Sequence, residues 1–250
     1  MAGHSKWANI KHRKAAVDKK RGKIWSKKAH AIIVAARLGG GDPAANNRLA
    51  DAIADARKEN MPAVNIDRAI KRGTGESGDA DPEELVYEGY APGGVALIVE
   101  ALTDNRKRTA PDIKHAFEKH GGNLGQTGSV MHSFDRKGIV IIEKEGAPPE
   151  DELLELVAEA GAEDLEGSDD GFTITTPATE LEAVKKALAA RDISWVSAQL
   201  EYLPHARNEV DEETARKVQK LIDALEDNND VQNVYTNHEP PESLIAELSE

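Results

Sequence analysis

Between residues 18 and 38 the apolar positions Trp25, Ala29, Ile32, Ile33 and Ala36 recur at helical spacing, while Lys20, Lys23, Lys27 and His30 fall on the opposite side. That pattern predicts an amphipathic helix. Gly39, Gly40 and Gly41 stop it. Asp42-Pro43 has the chemistry of an N-cap followed by proline at the first helical position, and Leu49, Ile53 and Ala56 carry the next stripe to about Asn60. Met61-Pro62 breaks that helix. A third then turns Ile66, Ala69 and Ile70 inward and Arg68, Lys71 and Arg72 outward, ending at Gly73. Three short helices with small connections imply a compact bundle.

Residues 73–84, rich in Gly, Asp, Glu and Pro, read as a linker, after which the period changes. Residues 86–90 and 95–102 read as strands around the turn Ala91-Pro92-Gly93-Gly94. A helix follows from about Thr109, with Ile113, Ala116, Phe117 and His120 along one side and Gly121-Gly122 closing it; residues 129–134 read as a further strand. Residues 138–203 then give strand, helix, two strands, helix and strand, the split-βαβ or ferredoxin-like order. A last helix, capped by Asp211 and striped by Ala215, Val218, Ile222 and Leu225, precedes a strand over residues 231–236.

A lone helix and strand cannot bury both their faces, so this pair is expected to return to the sheet begun near Val86. The predicted class is α+β: an N-terminal three-helix domain (1–75), a discontinuous middle domain (81–134 plus 206–240), and a ferredoxin-like βαββαβ domain (135–205) inserted in the middle one.

Composition supports several domains, because 250 residues exceed the usual size of a single core. The absence of cysteine excludes disulfides, thiolate zinc sites and cysteine nucleophiles, and fits a reducing cytoplasm. No run is long and apolar enough to span a bilayer, so no membrane partner is expected. Charge changes the picture more. The net −13 divides into +11 for residues 1–75 and −24 for residues 76–250. Such asymmetry points to a nucleic-acid-facing module joined to acidic domains.

Lys6, Lys11, His12, Arg13, Lys14, Lys19, Lys20, Arg21, Lys23 and Lys27 make the densest cationic stretch. Residues 1–38 hold eleven Lys+Arg and one acid, Asp18, which solubility alone explains poorly in an otherwise acidic chain. The bland alternative is a solvated face or an arm without a fixed ligand. Arg68, Lys71 and Arg72 add cations on the third helix. Trp7 and Trp25 are the only rings of the basic module, with Trp25 reading as core, so backbone and shape recognition is favoured over base stacking. A second candidate is Arg106, Lys107 and Arg108, a basic loop feeding a helix N-terminus, where cations and unpaired N–H groups suit phosphate. Its plain reading is a turn with a Thr cap.

Enzyme signatures are lacking. Gly122-x-x-Gly125-x-x-Gly128 follows a helix instead of opening one after a strand, so it meets neither nucleotide fingerprint, and Ser129 lacks a nucleophile elbow. His115 and His120 miss the four-residue spacing of a helical metal pair, and the other histidines are scattered. No catalytic residue, metal, cofactor or small-molecule substrate is expected.

The chain resembles the YebC-type family of probable transcriptional regulatory proteins, whose relatives include mitochondrial translational activators. The resemblance is carried by G-H-S-K-W-A-N-I-K-H-R-K (residues 3–14), N-I-D-R-A-I-K-R-G-T-G (65–75), Y-E-G-Y-A-P-G-G-V-A (87–96), L-T-D-N-R-K-R-T (102–109) and D-V-Q-N-V-Y-T-N (230–237). Asn229-Asp230 stands where the family has an acidic pair. The resemblance implies a helical domain and two α/β domains in a cytoplasmic, non-enzymatic protein. It also implies either a DNA-binding transcription regulator or a ribosome-associated translation factor that contacts ribosomal RNA and relieves stalls at proline-rich stretches, with the transcription machinery or the ribosome as partner. A rival expectation is an acidic protein-interaction module with an autoinhibitory basic arm.

Overall fold

The computed structural model describes residues 21–75, 83–103 and 105–241, leaving aside the side chains of residues 21–24. Among these, residues 21–130 and 208–241 form one compact unit and residues 131–207 another.

The first unit opens with three helices, α1 (Arg21–Gly39), α2 (Asn47–Lys58) and α3 (Ala63–Gly73). Ile32, Ile33, Ala35 and Ala36 of α1 pack with Leu49, Ile53 and Ala56 of α2 and with Met61, Ile66 and Ala69. The expected stripes thus form the bundle core. Where α2 begins differs from expectation. Asp42-Pro43 forms a turn, in which the Asp42 side chain accepts from Ala44 N (2.9 Å), and the cap is Asn46. Its Oδ1 accepts from Leu49 N (3.1 Å), while its Nδ2 donates to Ala35 O (2.7 Å) and Gly40 O (2.9 Å). Both residues have cap chemistry; bonds back to α1 decide between them.

β1 (Glu83–Tyr90) and β2 (Ala96–Thr103) pair antiparallel around Pro92–Gly94, where Gly93 (φ 76°) and Gly94 (φ 71°) occupy the left-handed region that glycine tolerates. Then come α4 (Arg106–Lys119) and the two-residue β3 (Asn123–Leu124), which pairs with β1. After the intervening segment, β8 (Asn208–Glu209), α7 (Glu212–Glu226), β9 (Val231–Thr236) and β10 (His238–Glu239) complete the unit. β9 pairs antiparallel with β2, giving the sheet order β3-β1-β2-β9, and β8 pairs with β10. Leu97, Val99 and Ala101 of β2 meet Ile113 and Phe117 of α4 and Val218, Leu221 and Leu225 of α7 in one core. The helix and strand after residue 208 do return to the sheet begun by β1.

The second unit runs β4 (Phe134–Glu143), α5 (Glu150–Glu159), β5 (Asp164–Gly167), β6 (Gly171–Pro177), α6 (Leu181–Ala189) and β7 (Ser197–Pro204). Its antiparallel sheet has the order β5-β6-β4-β7, with Val140, Ile142, Phe172 and Ile174 packed on Leu153, Val157, Val184 and Leu188. This is the ferredoxin-like arrangement, and the class of the whole is α+β, a helical region followed by two sheet domains.

The strand expected over residues 129–134 is absent. Gly128 N and Val130 N instead donate to the buried Glu88 carboxylate (2.6 and 2.8 Å), Met131–Ser133 makes a short 3₁₀ turn, and β4 starts only at Phe134. A buried acid on β1 takes the donors that strand pairing would have used.

Candidate nucleic-acid interface

α1 and α3 approach closely at Gly73. A Cβ there would lie 2.4 Å from Ile33 O and 2.7 Å from the Ala36 Cβ, so only glycine admits this spacing without a shift. Arg37 donates from Nη2 to Arg72 O (3.4 Å) across the same pair. Further along, the helices part into an open groove of about 270 Å³ lined by Trp25, Ser26, Ala29, Ile33, Met61, Asn65, Arg68, Ala69 and Arg72. Trp25 is held by its indole N–H, which donates to Glu59 O (3.0 Å), and it packs against the core while also lining the groove. Its packing on the core is what its stripe position predicts, and the groove lining is additional. Arg68 and Arg72 stand one turn apart on the groove side of α3; Arg68 and Lys71 are exposed and Arg72 is half-buried.

Lys27 is half-buried on α1. His30, expected on the outer side, is half-buried too, and its Nδ1 is buried with no hydrogen-bond partner among the described residues. Residues 32–36 are all buried, since α1 comes up against β2 as well as α2 and α3. Lys6, Lys11, His12, Arg13, Lys14, Lys19 and Lys20 lie outside the described residues, as do the side chains of Arg21 and Lys23 and most of the expected linker.

The second basic cluster is not a loop. Arg106, Lys107 and Arg108 form the first turn of α4, capped by Asn105, whose side chain accepts from Arg108 N (3.2 Å). The expected cap, Thr109, lies inside the helix and is buried. Cations in a first turn oppose the helix dipole, and this turn holds no acid. Arg108 finds its counter-charge in Asp230, donating from Nη2 to both carboxylate oxygens (3.1 and 2.9 Å). Thr109 Oγ1 (2.7 Å) and Thr103 Oγ1 (3.2 Å) donate to the same carboxylate. Burial pushes the Asp230 pKa up, but these hydroxyl and guanidinium donors outweigh it and hold the group below the usual carboxylate value. Arg108 is therefore tied to β9, whereas Arg106 and Lys107 are exposed and make no ion pair among the described residues.

Tyr87 of β1 stands beside this turn. Its hydroxyl is buried without a hydrogen-bond partner among the described residues, and burial raises its pKa against the opposing pull of Arg106. Residue pattern alone does not assign Tyr87 or Asp230 to a site, whereas Thr103 opens the basic stretch that runs to Thr109. All three fall in the stretches that carry the family resemblance, and that is the signal the sequence offers. The structure brings Arg68 and Arg72 together at the groove and Arg106, Lys107 and Arg108 at the α4 turn. It draws no described contact between the two clusters. Among the described residues no group of three or more His, Asp or Glu is placed to hold a metal, and no helix is long and apolar enough to cross a membrane.

Comparison with known proteins gives these features a context. Residues 5–76 match the model of the TACO1/YebC protein N-terminal domain, and residues 82–238 that of the TACO1/YebC second and third domain. The chain is 49% identical over 251 residues to a protein of Beutenbergia cavernae and 50% identical over 250 residues to one of Thermobifida fusca, each alignment covering 100% of both chains. Both relatives bear the name probable transcriptional regulatory protein. The crystal structure of a conserved hypothetical protein from Aquifex aeolicus is 48% identical, with a TM-score of 0.82 over 90% of this chain and 93% of that one. The chain belongs to the TACO1/YebC family.

Proposed function

We propose that this chain is a non-enzymatic, cytoplasmic regulator of gene expression that binds nucleic acid through its basic helical domain, residues 1–75, aided by Arg106 and Lys107. The observation that carries the reading is the division of charge, +11 in residues 1–75 against −24 in the remainder. Phosphate is attracted to one part of the chain and repelled by the rest, which orients the molecule on its target. The relatives' name favours promoter DNA as that target. The domain division proposed from sequence (1–75; 81–134 plus 206–240; 135–205) assigns nucleic acid to the first and leaves the acidic domains for protein contacts with the transcription machinery or the ribosome. Arg108 acts here by fixing the α4 turn to Asp230 and not as a free phosphate ligand.

A second reading, a translation factor on ribosomal RNA, is favoured by one observation, the open groove lined by Trp25 together with Arg68 and Arg72. Gel shifts across a salt series, with crosslinking in cells that recovers promoter DNA or ribosomal RNA, separate the two. Replacing Lys11, Arg13, Lys14, Lys20 and Lys23 by alanine is expected to flatten the salt dependence, since each phosphate contact contributes about 0.7–0.9 to the slope of log K against log salt. An unchanged slope refutes the role of the basic stretch.

A further inference from the structure

The charge division explains attraction to any polyanion, but not the shape between α1 and α3. That groove has an apolar floor, Ala29, Ile33, Met61 and Ala69, with the Trp25 ring beside it. Its rim is polar: Arg68 and Arg72 stand one helical turn apart, and Asn65 and Ser26 complete the lining. The Asn65 side-chain amide makes no hydrogen bond within the described residues, so it offers both a donor and an acceptor. At about 270 Å³ the space lies just under the range of roughly 300–1,000 Å³ typical of drug-sized ligands.

We infer that this groove receives one unpaired RNA base, stacked against Trp25 and read at its edge by Asn65, with the flanking phosphates on Arg68 and Arg72. An apolar floor under two arginines is ill suited to a regular duplex, whose bases are stacked inward and whose surface is phosphate and sugar. It suits a nucleotide turned out of a loop, where the ring needs an aromatic or apolar face and the backbone needs cations. RNA loops and bulges present such bases ready-made, while duplex DNA must first spend a few kcal/mol on flipping one out. An acidic peptide would satisfy the arginines but leave the apolar floor uncovered. The inference rests on the nucleic-acid reading above and, within it, sides with the second target, RNA, and specifically RNA with exposed bases.

The test uses the full chain with Trp7→Phe and Trp195→Phe, so that Trp25 alone emits. The probes are an RNA hairpin with a single-stranded loop, a blunt RNA duplex of equal charge, and a DNA hairpin of the same sequence. The hairpin RNA is expected to quench Trp25 and to bind about tenfold more tightly than the duplex, in keeping with the contribution of one stacked base. Ala29→Leu, which fills the floor without touching a charge, is expected to remove both effects while leaving the salt slope intact. Asn65→Ala, at the groove mouth, is expected to weaken hairpin binding severalfold without changing duplex binding.

Equal hairpin and duplex affinities with unquenched Trp25 overturn the groove proposal and leave the nucleic-acid reading standing. Failure to bind any of the three probes overturns both. Equal quenching by the DNA hairpin overturns the assignment to RNA, and quenching by poly-glutamate in competition with RNA assigns the groove to a protein partner instead. If acrylamide already fails to reach Trp25 in the free protein, the groove is filled by the chain itself and the proposal falls.

Discussion

Asp230 ties together the start of β9, the end of β2 and the first turn of α4, and its removal should be felt by the whole first unit. Its side chain is only 5% exposed, and the Thr103 and Thr109 residues that donate to it are fully buried. Breaking a fully buried charge pair costs about 3–5 kcal/mol. Two features lower that figure here. Arg108 is 50% exposed and can turn to water, and Thr109 Oγ1 can still donate to Asn105 O (3.1 Å). What remains is chiefly one buried hydroxyl without its acceptor, lost packing and the released charge-assisted bonds, so Asp230→Ala is expected to destabilise by about 2–3 kcal/mol, and Asp230→Asn by about half as much.

The pH dependence follows from the direction of the shift. The folded-state pKa of Asp230 is depressed, so its contribution is complete above the unfolded value of about 3.9 and disappears as the pH falls through the lower folded value. Urea denaturation of the wild type and Asp230→Asn, followed by circular dichroism, should show a stability gap that is constant from about pH 7 to about pH 5 and closes below about pH 4. A gap that is absent at neutral pH, or equal at both ends of the series, refutes the assignment of the knot to an ionised Asp230.

Asn46→Ala removes the α2 cap and two tethers to α1, and should cost about 2–3 kcal/mol by urea titration; a loss under about 1 kcal/mol would mean water replaces the tethers. Gly73→Ala gains about 1 kcal/mol in helix propensity but sets a Cβ 2.4 Å from a backbone oxygen of α1, so the clash prevails and the net loss should be about 1–3 kcal/mol. A neutral or raised melting temperature for that variant would show that the two helices can separate freely.

Most helices were legible because each buries one face, and one-sided burial writes a period into the sequence, as in Ile66 and Ala69 inward with Arg68 and Lys71 outward; β2, buried along its length except at Glu100, was legible instead as a near-continuous apolar run. The errors lie where a distant residue settles a local choice. Asn46 displaces Asp42 as a cap through Ala35 and Gly40. Glu88 captures the amides of Gly128 and Val130, some forty residues along the chain. α4 starts three residues before the expected Thr109, and the acid that makes three consecutive cations tolerable in its first turn is 122 positions away from Arg108. Trp25 packs on the core as its stripe position predicts, but period alone does not show that the ring also lines a groove.

The α4 turn also bears on function through contrast with the other three helices of the acidic segment, residues 76–250. α5 begins with Glu150, Asp151 and Glu152, α6 carries Glu182 in its first turn, and α7 carries Glu212 and Glu213 beside its Asp211 cap. Each places carboxylates where the helix dipole favours them. α4 does the opposite within a segment whose net charge is −24. Asp230 neutralises Arg108 alone, which leaves Arg106 and Lys107 adding positive charge to a positive helix end. A sequence that respects a local rule in three helices and breaks it in the fourth, while supplying only part of the compensation, leaves an unmet demand for negative charge there. On the proposed function, a backbone phosphodiester meets that demand with its single negative charge, facing the N–H groups at the start of the turn. On this ground the proposed function counts the turn, with the basic helices, as a second point of contact for a nucleic-acid backbone. Arg106→Glu should accordingly weaken binding at low salt more than at high salt, while a uniform effect across the salt series would count against it.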